Sequence, residues 1–299
     1  MNHRIFSSIN ALSKSFKALY FRSKFRKMKI KTFLLFSFLI ITNLNSFAQL
    51  QRVDVRDLAM GNATVACMPT YGLAKNSSFI QSDKKSLICL SASNNFFIKD
   101  LSPVFVSIYK SFNDRTAIFS GIGKVGNKSF SEQFIEAGIA KKLGQKFYAS
   151  VLIQYHQWII NESMYENSHA LIPTFCLFAN PIKNLCFGAL IRNPVRVRMN
   201  AIEQNKLPAE INSGISCKVS DKVLIALSAK QISQQALSTQ LGLEYIFHPN
   251  LHFRFGWQTL PVSESFGFGL KLNRVNLDMA IKTHPTLGYS STVGLTFSL

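Results

Sequence analysis

The chain runs to 299 residues, 47% hydrophobic and only 16% charged, and its 34 Lys and Arg against 15 Asp and Glu give a formal charge of +19. So basic a chain points towards nucleic acid, but nine of the basic residues and none of the acids precede residue 48, leaving 25 basic against 15 acidic residues, or +10. That remainder holds no basic run and no nucleic-acid motif, so nucleic acid is excluded as a partner.

Residues 1–48 read as a leader with a secretory signal peptide. Lys29 and Lys31 precede a short apolar stretch, T-F-L-L-F-S-F-L-I-I-T-N-L over residues 32–44, and Ser46-Phe47-Ala48 supplies a small-x-small cleavage pattern before Gln49. A membrane-spanning helix needs about 20 apolar residues, more than this core offers. The stretch ahead of Met28 is basic and free of acids, which fits either an over-extended start with Met28 as the true beginning or a long basic n-region. No lipobox cysteine follows.

Residues 49–86 are small, mixed and without sustained alternation, and are expected to form a short hatch or plug. Residues 87–299 are expected to form the barrel. Fourteen strand candidates begin near Leu87, Val104, Arg115, Glu132, Lys146, Ser168, Lys183, Ala209, Lys222, Ala236, Asn250, Glu264, Arg274 and Tyr289. Turn residues separate them, among them Asn113-Asp114, Gly126-Asn127, Leu143-Gly144, Asn180-Pro181, Ser220-Asp221, His248-Pro249 and Asn273-Arg274. Residues 196–207 are the longest interruption, an extracellular or lumen-folded loop. Cys67, Cys89, Cys176, Cys186 and Cys217 show no metal-ligand spacing; Cys176 and Cys186 flank Asn180-Pro181 symmetrically, but isolated small residues in strands are the preferred reading.

The alternation is clearest near the end. Leu251, Phe253, Phe255 and Trp257 share one face of a strand, while His252, Arg254, Gly256 and Gln258 share the other. With an export signal in front and no long apolar helix after it, the expected fold is all-β: a transmembrane antiparallel barrel of about 14 strands with a short N-terminal hatch, apolar outside and polar within. A soluble β-sandwich or β-helix would turn its apolar face inwards instead. The expected location is the outer membrane of a Gram-negative bacterium, as a monomer surrounded by outer-membrane lipid.

With the apolar edges outward, the lumen receives Glu244, His252, Arg254, Lys271, Asp278 and Lys282. Pairing Phe247 with Leu251 sets Glu244 opposite Arg254, and pairing Leu272 with Val275 sets Asp278 diagonal to Lys271; opposite charges so placed stabilise each other by roughly 0.2–1 kcal/mol. These charges form either a charged constriction or a neutralised scaffold, and the scaffold is preferred. Gly242, Gly256, Gly267, Gly269 and Gly294 fall on the same inner face, where missing side chains suit strand curvature or leave room for a plug. No catalytic, cofactor-binding or metal-binding constellation emerges. The histidines lie in separate strands or turns, and Gly121-Ile122-Gly123 with Gly126 has strand running through it and no helix behind it. The expectation is a protein that is not an enzyme and needs no cofactor.

The run Arg56-Asp57-Leu58-Ala59-Met60-Gly61-Asn62-Ala63-Thr64-Val65-Ala66 resembles the R-x-x-x-M-G-x-A-x-V-A opening of PorV/PorQ-type outer-membrane proteins and of long-chain fatty-acid-transporter-like barrels, with Arg56, Met60, Gly61 and Ala63 carrying the match. Those families continue with an N-P-A motif; here Asn76-Ser77-Ser78 stands in its place. Further along, Gly242-Leu243-Glu244-Tyr245, Phe266-Gly267-Phe268-Gly269 and His284-Pro285-Thr286-Leu287-Gly288 are similar to the C-terminal half of PorV/PorQ-type barrels. The resemblance implies a fourteen-strand barrel with its N-terminal segment in the lumen. It also implies either a channel or transporter for small hydrophobic solutes, or a non-transporting barrel associated with type IX protein secretion or surface attachment, whose partners are secretion-system proteins.

Overall fold

The computed structural model describes residues 52, 54–69, 75–78, 80, 86–161, 167–199 and 206–299; the leader and signal peptide expected over residues 1–48 lie outside them. Fourteen strands follow one another: β1 (Ser86–Asn95), β2 (Val104–Asn113), β3 (Thr116–Gly126), β4 (Phe130–Lys142), β5 (Phe147–Ile160), β6 (Ser168–Ile182), β7 (Leu185–Arg192), β8 (Glu210–Lys218), β9 (Val223–Ile232), β10 (Ser238–His248), β11 (Leu251–Thr259), β12 (Val262–Leu272), β13 (Val275–His284) and β14 (Gly288–Ser298). Each pairs antiparallel with its neighbours, and β1 pairs with β14, so the sheet closes on itself. Closure gives every strand two neighbours, as a spanning sheet in lipid requires, and the outer end of β6 runs past the end of β7.

The period of two places the apolar side chains outside. On β2, Val104, Val106, Ile108 and Phe112 face out while Phe105, Ser107, Tyr109 and Ser111 face in. On β11, Phe253 and Trp257 are exposed while His252, Arg254 and Gln258 are buried. Large exposed apolar residues recur on every strand, and the buried set is rich in Ser, Asn, Gln, Glu and Arg. Membrane barrels have this inverted distribution; a soluble sandwich would reverse it.

The short turns joining β2 to β3, β6 to β7, β10 to β11 and β12 to β13 lie at the same end as Ser86 and Leu299, whose backbone N–H donates to the Ser86 carbonyl. Short turns mark the periplasmic end and longer loops the outer one. At the β6–β7 hairpin the sequence places the turn at Asn180-Pro181, but β6 continues to Ile182 and the chain reverses at Lys183-Asn184. Proline sits in the bulge between Ala179 and Ile182, where its missing N–H leaves no ladder bond unmade, and Asn184 takes the left-handed conformation the turn needs. The shift puts Cys176 opposite Leu190 and Cys186 opposite Ser216, and all five cysteines are free thiols.

Two bodies of side chains occupy the lumen. Against β1 to β7, Leu87, Tyr109, Phe119, Tyr148, Leu152 and Phe178 pack with Ile80 into an apolar core. Against β7 to β14 lies the N-terminal segment, with a single-turn helix α1 (Val55–Ala59) and a 3-10 turn over Thr64–Ala66.

Candidate functional site: the lumenal plug and its ion cluster

The segment from Asp54 to Cys67 is a plug whose shape is set locally. Asp54 caps α1 by accepting from the Arg56 and Asp57 N–H groups at 2.9 and 3.3 Å. Asp57 then accepts from the Thr64 N–H and hydroxyl at 3.2 and 2.6 Å, tying the helix to the 3-10 turn, while Lys75 lies 3.2 Å from its other oxygen. Gly61 and Asn62 reverse the chain between them, both at positive φ.

The plug backbone reaches the wall because the wall lacks side chains where they meet. A Cβ on Gly256 would lie 1.9 Å from the Gly61 nitrogen, and one on Gly188 would lie 2.0 Å from the Val65 carbonyl oxygen. Gly242, Gly267 and Gly294 face Met60, Ala59 and Val55 in the same way. Around these contacts the hydroxyls of Ser265 and Ser216 bond the Gly61 N–H and the Ala66 carbonyl, at 3.1 and 2.8 Å.

Charge fixes the rotation of the plug. Arg56 extends from α1 to Glu244 on β10, donating from Nε and Nη2 to the carboxylate, and its Nη1 donates to the Met68 carbonyl at 2.8 Å. Glu244 stands opposite Arg254 on β11, and Arg254 Nε lies 3.0 Å from its oxygen; the turn pairs Leu251 with His248 rather than with Phe247, and a bulge between Ile246 and His248 restores the register. Arg254 reaches onward to Asp278 on β13. It crosses β12 directly over Gly269, where a Cβ would come within 2.6 Å of the Asp278 carboxylate and 2.8 Å of the guanidinium. His252 Nδ1 is 3.5 Å from Glu244. Glu244, His252, Arg254 and Asp278 therefore meet in one buried cluster, and Arg56, a residue of the hatch motif, completes it.

Two of the six lumen-facing candidates fall elsewhere. Lys282 donates to Gln258 Oε1 at 3.2 Å, towards the outer end, and Lys271 stands at the periplasmic mouth, opposite Asn276. Asp278 lies diagonal to Lys271 as the register requires, and the ion pair it makes over Gly269 is with Arg254. Met60, Gly61 and Ala63 of the hatch motif are buried in the plug.

Three further lumenal contacts, two of them made by the N-terminal segment, are not expected from the sequence. Asn76 donates to the carbonyls of Val65 and Leu177 at 3.0 and 2.7 Å and accepts from the Ser78 N–H, so it docks the returning chain on β6 without the proline and alanine that follow in the resembling motif. Arg52 lies 3.4 Å from Glu136 and bonds Ser77. Within the outer half of the lumen, His156 lies 2.7 Å from Glu132 and stacks on Phe134.

Burial sets the protonation of the plug. It pushes the Asp54 carboxyl up to about 6, with the neighbouring Asp57 charge adding to the effect. Burial also acts to raise Asp57, but the Lys75 ammonium and the Thr64 bonds outweigh it and hold Asp57 below the usual carboxylate range. For Arg56 burial works against the charge and Glu244 more than offsets it, so the guanidinium stays ionised. The Cys67 thiol is pushed up to about 12 by burial and is inert.

Below the plug, at the periplasmic end, opens a cavity of about 780 Å³ whose walls include Arg56, Glu244, Met68 and Leu224. On the outer side a cavity of about 120 Å³ lies among Arg52, Lys75, Arg192, Lys230 and their acidic neighbours.

No protein-family model matches the chain, and no curated protein sequence matches it either. Solved structures do. The Pseudomonas putida toluene transporter TodX superposes with a TM-score of 0.55 at 10% identity, covering 84% of this chain and 97% of that one. The Ralstonia pickettii toluene transporter TbuX gives 0.58 at 9% identity, covering 83% and 98%. A Pseudomonas aeruginosa FadL homologue gives 0.52 at 10% identity, covering 84% and 98%. The likeness is one of fold: this chain is a closed fourteen-strand outer-membrane barrel of the architecture that the FadL and TodX-type transporters share, with an apolar wall turned to lipid.

Proposed function

We propose that the barrel is a plugged passive route for a small hydrophobic solute across the outer membrane, with no catalytic role. The observation carrying this reading is a break in the wall between β6 and β7. β7 leaves the wall after Arg192, its last contact being the Asn193 N–H donating to the Pro173 carbonyl at 2.8 Å. Among the described residues no strand pairs with residues 168–172 on that side. Proline at 173 has no N–H to offer there. The bared stretch is covered from within by Val197, Met199 and Leu207, packed on Ala170, Ile172 and Trp158. An apolar solute entering from outside meets an apolar nest beside an unpaired edge and can pass sideways into the bilayer without crossing the plug. TodX and TbuX, which share the fold, are toluene transporters, and this supports a solute of that class. The test is uptake of radiolabelled toluene by Gram-negative cells lacking other hydrocarbon channels, with and without the chain. Met199→Asp should reduce the chain-dependent uptake roughly tenfold by placing a charge in the nest, and uptake no faster than in control cells would remove the reading.

A second reading, a PorV/PorQ-type barrel serving type IX secretion or surface attachment, is favoured by the tightly bound plug and by the apolar core packed against β1 to β7. It predicts an electrically silent barrel that co-purifies with secretion components.

A further inference from the structure

The periplasmic mouth combines three features. The first is the 780 Å³ cavity, within the size range of ligand sites, with Met68, Ile182, Val223, Leu224 and Ile246 as apolar lining. The second is charge. Lys142, Lys146, Lys183, Lys218, Lys222 and Lys271 surround the mouth on inward-facing positions or on the turns, against Asp114 and Asp221 as the described acidic side chains of this end. Asp221 is fully exposed beside Lys218 and neutralises it little. The third is that Arg56 and Glu244, the pair joining plug to wall, both line the cavity, so an anion reaching its depth meets the plug's own anchor.

We propose that this mouth docks an acidic, apolar-tipped segment of a periplasmic protein, and that docking loosens the plug by competing with Glu244 for Arg56. A protein segment is favoured over a lipid headgroup because the lysines converge on the mouth. Lys110 and Lys141 are the ones carried on the outward, lipid-facing positions of the strands at this end. Apolar side chains at the tip suit the cavity, the free carboxylate that ends the segment is the group that meets Arg56, and the carboxylates behind the tip suit the ring, which steers encounter as well as holding the complex. The proposal stands apart from solute transport, since docking and plug loosening are measured without any flux.

The experiment uses the full chain purified in a zwitterionic detergent and a fluorescein-labelled hexaglutamate peptide ending in two leucines, followed by fluorescence anisotropy. Saturable binding is expected, weakened roughly tenfold or more by raising salt to 0.5 M. Combined Lys146→Gln, Lys183→Gln and Lys218→Gln substitutions should weaken it about tenfold, while Lys110→Gln with Lys141→Gln should change it less than about twofold. Bound peptide should speed hydrogen exchange across residues 54–67. Failure of the peptide to bind saturably, or an equal loss in the outward-facing pair, overturns the docking site. So does displacement of the peptide by phosphatidylglycerol vesicles but not phosphatidylcholine ones, which would assign the ring to lipid. Binding that leaves exchange in the plug unchanged overturns the competition with Glu244.

Discussion

Arg56 and Glu244 are buried together, and a buried ion pair is more costly to break than to replace. Glu244→Gln leaves two arginines facing one neutral amide and should weaken plug docking by about 3–5 kcal/mol, read as faster hydrogen exchange across residues 54–67 with the wall unaffected. Asp54 acts in the opposite sense. Its carboxyl is raised from 3.8 to about 6 in the docked plug, so the docked state favours the protonated acid. Its contribution is fully present below pH 3.8 and is lost as pH rises through 6. An asparagine in its place would keep the cap without the charge, so Asp54→Asn should protect the plug at neutral pH and abolish that part of the pH dependence, once intrinsic exchange rates are corrected for. Asp57, held low by Lys75, contributes in the other direction and loses its contribution as pH falls, so the two are separated by comparing Asp54→Asn with Asp57→Asn. Some of this residue-level detail is legible in sequence. That Glu244 meets Arg254 rests on a bulge at Phe247, because the turn itself joins His248 to Leu251, and only their shared inner face follows from the sequence. Arg56 on Glu244 does not, because the two stand 188 residues apart and no periodicity links them. Nor does the Arg254–Asp278 pair, which depends on the empty place above Gly269.

At the scale of elements, the strands and the plug follow different rules. A strand that spans lipid must alternate and must end at turn residues, and both marks are local, which is why the strand starts in the sequence lie within a few residues of those in the fold. Pro181 misleads because proline signals a turn almost everywhere, yet a bulge at the end of β6 accommodates it as well. The plug carries no period, and its place is set by backbone meeting backbone over Gly256 and Gly188. Gly256→Val should therefore drive the plug from its seat while leaving the barrel closed. We expect the plug to exchange freely, and the stability of the barrel, followed by its heat-modified gel shift across a denaturant series, to fall by no more than the roughly 1–3 kcal/mol typical of overpacking. If the barrel itself failed to assemble, the wall and plug would be one folding unit.

For the molecule as a whole, the location of apolar surface decides everything else: lipid outside, and inside a partly charged lumen that holds the plug. The chain carries two tryptophans on opposite sides of its wall, Trp257 exposed on the outer face of β11 and Trp158 facing inwards beside Ile172 and Met199. The wall therefore reports on itself. The direct measurement is fluorescence quenching in bilayers of lipids brominated near the glycerol end of the chain, using Trp158→Phe to isolate Trp257 and Trp257→Phe to isolate Trp158. Strong quenching of Trp257 with Trp158 nearly unaffected is the predicted result; quenching of Trp158 with Trp257 spared would contradict an apolar wall turned towards lipid.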